Sequence, residues 1–185
     1  MRRNKSGFSL MEAIVVTGIF LIITTSVLVS YPLFNERFEL RRSLQSVALA
    51  LRKAQAYGMA VKEFGTGTDN FPGYGIYFQT AVPNSYIFFA DTNGDRQYSG
   101  ASERIEEVQF SSRSRIADLC GNKESSPPGV CGLSSLTVVY LRPDPSVTII
   151  SGAATYIDGE ITIRSLSGIQ KRIYLWTSGQ ISVEK

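Results

Sequence analysis

The chain has 185 residues, 43% of them hydrophobic, with 19 Lys and Arg against 16 Asp and Glu, no histidine, and a net charge of +3. That length allows one globular domain with a real core beside any N-terminal segment. Arg2, Arg3 and Lys5 carry a surplus equal to the whole net charge, so the basic balance gives no support to a nucleic-acid surface. The lack of histidine removes the commonest general base and, with only two cysteines, speaks against an enzyme and against a structural zinc site.

A short basic leader, Met1 to Ser6, precedes Gly7-Phe8-Ser9-Leu10-Met11-Glu12. An uncharged apolar run follows, from Ala13 to about Asn35. It is long enough to span a bilayer as a helix. It is rich in β-branched residues, but lipid leaves only a helix or a closed barrel. Gly18 and Pro32 are expected points of bending or local melting. Glu12 is out of keeping with this run. On insertion scales an ionisable residue at bilayer depth costs roughly 2.5–3.5 kcal/mol, so it needs a partner or a function. A secretory signal requires a small-residue cleavage site after its apolar core, and Ser26 to Tyr31 offers none. A plain signal anchor accounts for the apolar run but not for Glu12. The basic leader points to a cytoplasmic N-terminus and an outward C-terminal domain.

Beyond the apolar run the helical pattern resumes. Leu40, Leu44, Val47, Leu51, Ala54 and Gly58 recur at four- and three-residue steps and form one stripe. Arg41, Arg42, Arg52 and Lys53 mostly lie off it. The pattern predicts one long helix from about Ser9 to about Met59, roughly 75 Å long, whose outer half packs on the globular domain. Strands are expected at Tyr74–Gln79, Tyr86–Ala90, Ile105–Phe110, Leu136–Leu141, Val147–Ile150, Glu160–Arg164, Lys171–Thr177 and Gln180–Val183. Ile161 with Ile163, Ile173 with Leu175, and Ile181 with Val183 share a face, and Ser167-Gly168 and Ser178-Gly179 are the turns between. The fold class is therefore α+β, a long helix on an antiparallel sheet or two packed sheets. Gly65–Gly73, Gly121–Gly132 and Gly152–Thr155 carry the fewest structural signals.

Several residues are candidates for chemistry. In an outward domain Cys120 and Cys131 sit in an oxidising compartment, which suggests a disulfide; two buried thiols are the alternative. Asp91, Asn93 and Asp95 alternate as in a calcium loop, but the sixth and twelfth positions hold Arg96 and Ser102, with Glu103 one late. A strand-to-strand turn explains the same residues. Lys171 and Arg172 with Tyr174 and Trp176 form a possible phosphate-and-stacking patch, although half core and half solvated face is the commoner reading of such a strand. Glu106-Glu107 reads as a strand edge facing water, and Gly73-Tyr74-Gly75 is too short for a phosphate cradle.

Gly7-Phe8 with Glu12 and the apolar run resembles the processing site of the type IV pilin superfamily. The resemblance implies cleavage after Gly7 by a prepilin peptidase/methyltransferase, N-methylation of Phe8, and Glu12 as the assembly carboxylate. In a filament, Glu12 would neutralise the Phe8 amine of a neighbour in an apolar core, a pair that mainly fixes register. Three later stretches are similar to the minor pseudopilin H / FimT-type minor pilin family: Leu51-Arg52-Lys53-Ala54-Gln55-Ala56, Tyr86 to Asp95, and Ile161 to Val183 ending in Gly179-Gln180-Ile181. This implies a pilin-like fold: a leader at 1–7, a helix at 8–60 with about 12–34 transmembrane, and a β-rich extracytoplasmic domain at 61–185. It also implies a bacterial inner-membrane, non-enzymatic subunit without cofactors. Its partners would be the major subunit and other minor pilins or pseudopilins, and it would help initiate a type IV pilus. The pseudopilus of type II secretion is the alternative machine. DNA-binding minor pilins of competence systems carry a Gly-Arg-x-Arg, which Gly179-Gln180-Ile181-Ser182 lacks.

Overall fold

The computed structural model describes residues 7, 9–60, 62–65, 71–141 and 147–184, the side chains at 30, 32 and 33 excepted. The chain falls into two units, 1–36 and 37–185. One helix, α1 (Leu10–Met59), runs through both. It continues through Gly18 and Pro32 without the local melting expected there.

In the first unit the described apolar side chains of α1 are exposed, among them Ile14, Ile19, Phe20, Leu21, Leu28 and Phe34. The helix is long and apolar enough to cross a membrane. Its hydroxyls satisfy themselves: Thr17 donates to the Ala13 carbonyl, Thr24 to Phe20 and Thr25 to Leu21. This back-bonding to the preceding turn spares a polar group an unpaired exposure to an apolar medium.

In the second unit the expected stripe is the buried face of α1. Leu40, Leu44, Val47, Leu51 and Ala54 lie in one core with both sheets. Gly58 ends the stripe for a steric reason. A Cβ there would stand 2.7 Å from the Tyr140 carbonyl oxygen.

Among the described residues ten strands follow α1: β1 (Gly73–Gln79), β2 (Ser85–Asp91), β3 (Arg104–Gln109), β4 (Ser114–Gly121), β5 (Ser135–Tyr140), β6 (Val147–Ser151), β7 (Ala154–Tyr156), β8 (Asp158–Ser165), β9 (Gln170–Trp176) and β10 (Ile181–Val183). They form a six-stranded sheet, ordered β3-β2-β1-β5-β6-β7, and a four-stranded sheet, ordered β10-β9-β8-β4. Every pairing is antiparallel. The fold is α+β with two sheets. Ile161, Ile163, Ile173 and Leu175 are buried together as their alternation requires, with Ile181 and Val183 packed against them. Gly168 and Gly179 take positive φ in the two expected turns.

Two strands are additions. In β4 the register shifts between Ile116 and Asp118, and such a bulge interrupts the two-residue alternation that marks a strand. β7 is only three residues long and folds back on β6 through Ser151↔Ala154. It corrects the unstructured reading of residues 154–155.

Candidate functional site: the helix start and the polar loops

Phe8 and the leader residues Met1 to Ser6, with Arg2, Arg3 and Lys5, lie outside the described residues. Gly7 is exposed. Ser9 is the N-cap of α1, its carbonyl accepting the Ala13 N–H at 3.1 Å. Glu12 therefore stands at the third helical position, exposed, as the acidic residue of the first turn. Ser9-x-x-Glu12 has the spacing of a capping box, which the sequence reading missed. A carboxylate there gains about 0.3–1 kcal/mol from the helix dipole. The roughly 2.5–3.5 kcal/mol cost of a charge applies at the centre of a membrane helix, whereas Glu12 stands in the first turn, just before the apolar run.

The Asp91–Glu103 segment is a turn held by its own side chains. Asp91 is buried, and its two oxygens accept the N–H groups of Gly94 at 2.9 Å and Arg96 at 3.0 Å. Asn93 accepts from Asp95 N–H, and Asp95 from Gln97 N–H and from the Ser99 hydroxyl. Buried Glu103 accepts from Ser99 N–H and from the Thr92 hydroxyl. Burial, the largest influence, holds the Asp91 carboxyl above the usual carboxylate range against its two N–H bonds. Hydrogen bonding, led by Ser99, pulls Asp95 below it. The turn seats Tyr98 against Tyr77 and Phe89 on the second face of the larger sheet. The oxygens of Asp91, Asn93 and Asp95 thus serve the fold of the turn.

Cys120 and Cys131 form a disulfide, with Cα atoms 4.1 Å apart. One grouping of possible metal-ligand atoms is Asp118 with these two sulfurs. A disulfide offers no thiolate, and Asp118 already accepts the N–H groups of Leu119 and Gly132. The bridged segment is tied further than its composition suggested. Gly121 and Val130 exchange backbone hydrogen bonds. The buried Asp158 carboxylate accepts the N–H groups of Glu124 and Ser125.

The Lys171–Trp176 patch divides as its alternation requires. Ile173 and Leu175 are core, and Tyr174 and Trp176 stack on the other face. Arg172 faces Glu160 at 3.4 Å and Glu184 at 3.9 Å. Glu160 is 2% exposed by side chain and also holds Lys123 at 2.7 Å. Its charge is thus shared between two cations, and Arg172 is committed to carboxylates rather than open to phosphate. Glu106 and Glu107 lie on the exposed edge strand β3, bonded to Lys53 and Arg104 respectively. Gly75 serves packing: a Cβ there would meet the Phe89 ring and the Val138 carbonyl, both at 2.7 Å.

Compared with family models, curated proteins and solved structures, the chain matches none.

Proposed function

We propose that the chain is a non-enzymatic minor subunit of a type IV pilin-like filament, made as a precursor and cut after Gly7. Glu12 is the observation that carries this reading. It is an exposed carboxylate in the first turn of a helix whose following apolar side chains are exposed among the described residues. A new amine on Phe8 would put a cation at the positive end of the helix dipole, where it is disfavoured. A neighbour's Glu12 would relieve it. The uninterrupted α1, apolar in one half and core-forming in the other, suits a subunit first held in a membrane and then packed into a helical bundle. Within this reading the globular domain faces the periplasm or the exterior, and the pilus is favoured modestly over the pseudopilus.

Glu12→Leu tests the reading. A monomeric anchor gains only the helix-dipole contribution of about 0.3–1 kcal/mol from the carboxylate, so its insertion would be little changed or improved. A filament subunit would lose one partner of a buried pair, at about 3–5 kcal/mol. The variant is expected to be processed and membrane-inserted, yet missing from sheared filaments and from complexes with partner subunits. Wild-type incorporation would put the plain anchored domain ahead.

A further inference from the structure

We propose that the groove between α1 and the outer edge of β10 binds an extended acidic segment of a partner protein, which adds to the four-stranded sheet as a further strand. All of the residues concerned lie in the second unit, and the proposal stands apart from the filament reading. A sheet edge is a template for pairing unless charge or a loop blunts it. Strand β3, at one edge of the larger sheet, carries Arg104, Glu106 and Glu107. The outer side of β4 is taken by loops: the Ile116 N–H donates to the Pro83 carbonyl, Leu133 donates to Leu119, and Gly121 exchanges bonds with Val130. Strand β10, Ile181-Ser182-Val183, carries no charge. The Gln180 carbonyl accepts the Trp176 N–H, and the Glu184 N–H donates to the Arg172 carbonyl. Antiparallel alternation then turns the N–H and C=O groups of Ile181 and Val183 away from β9. Among the described residues those groups have no hydrogen bond.

A groove of about 660 Å³ lies beside Val183, floored by Leu44, Ala48 and Leu49 of α1. Leu49 is 64% exposed. Ile181 and Val183 pack their side chains on the core, so a strand bonded to them would turn alternate side chains into the groove, against α1. Backbone bonds give such an added strand its affinity, and pockets for alternate side chains give it specificity. Charge selects the occupant. Arg41 and Arg52 are the first and last residues of α1 on the groove, about 16 Å apart along the axis, the reach of about five residues of strand. Neither makes a salt bridge among the described residues. Glu184, which also lines the groove, already faces Arg172 at 3.9 Å and accepts its backbone N–H. Two uncompensated guanidinium groups thus flank an apolar floor, which suits carboxylates at either end of the added segment. Pairing of β10 with β10 of a second copy would set these cations against their own kind, which like charge disfavours.

The probe is the end-blocked peptide Glu-Thr-Val-Thr-Val-Thr-Glu, whose valines and glutamates share one face of a strand. It is added to the detergent-solubilised full chain, with binding followed by fluorescence anisotropy and amide exchange by NMR. In the free chain the Ile181 and Val183 amides are expected to exchange faster than that of Ser182, which pairs with Tyr174 of β9. The peptide should slow those two by about tenfold or more, as for amides drawn into a ladder. Arg41→Gln/Arg52→Gln should weaken binding about fivefold, the effect of two exposed ion pairs. A peptide with lysine for both glutamates should bind more weakly still. Arg115→Gln, at an exposed cation of β4, should change nothing. Failure of the peptide to bind, binding that leaves the two amides unprotected, or an equal loss with Arg115→Gln would overturn the proposal. Slow exchange at Ile181 and Val183 in the free chain that is lost on dilution would assign the edge to a second copy, and would overturn it too. None of these results bears on cleavage after Gly7.

Discussion

Asp91 spends a buried carboxylate on two backbone N–H groups. Because burial holds its proton more tightly in the folded state, this group favours folding below its unfolded pKa, and the contribution is lost as pH rises through the folded value. Asp91→Asn removes that dependence. An amide has one oxygen, so one of the two N–H groups loses its acceptor, a cost of about 1–3 kcal/mol. Urea unfolding of the detergent-solubilised protein across the acidic range is expected to show wild type ahead, by a margin that narrows toward neutral pH. A margin that widens with pH would contradict the burial argument. The neighbouring residues show what can be read at this scale. The Asp/Asn/Gly composition announced a turn, and a turn is present. Its purpose, seating Tyr98 on Phe89 and Tyr77, depends on a sheet face that local sequence does not display.

At the scale of elements, the contact of α1 with β5 is set by Gly58. Alanine there would normally gain up to about 1 kcal/mol of helix propensity. Here the new Cβ meets backbone, the Tyr140 carbonyl oxygen at 2.7 Å, and overpacking costs about 1–3 kcal/mol. At the helix's last turn the propensity gain is smallest, so Gly58→Ala should lower stability by about 1–2 kcal/mol, the clash outweighing propensity. A stabilised variant would mean that α1 and β5 separate easily. The disulfide segment makes a second case. Replacing both Cys120 and Cys131 with serine should cost about 2–4 kcal/mol in unfolding experiments without reductant. Asp158 should keep the 124–125 end of the loop in place, visible as slow amide exchange there. Unchanged stability would show that the bridge constrains nothing in the unfolded chain. Eight of the ten strands were legible, because residues such as Ile161, Ile163, Ile173 and Leu175 alternate cleanly. β4 was not, since its bulge at Ile116/Asp118 puts charge where the pattern needs an apolar residue. The helix stripe from Leu40 to Gly58 was legible for the same reason as the clean strands: one face is buried and the other is not.

For the whole molecule, the sequence made Glu12 visible as a charge at the mouth of an apolar run; its capping spacing from Ser9 stands in the same residues but was overshadowed by that charge, and the Ser9 carbonyl accepting the Ala13 N–H fixes the helix start. Residues 1–6 and Phe8 bear most directly on whether this is a processed filament subunit, and their chemistry is accessible to mass measurement. Intact mass of the protein purified from its native host is expected to equal that of residues 8–185 with one added methyl group, fragment ions placing the methyl on the Phe8 amine. A chain that still carries Met1 to Gly7, or an unmodified amine on any other first residue, would contradict the filament-subunit reading and leave an anchored β-rich domain in its place.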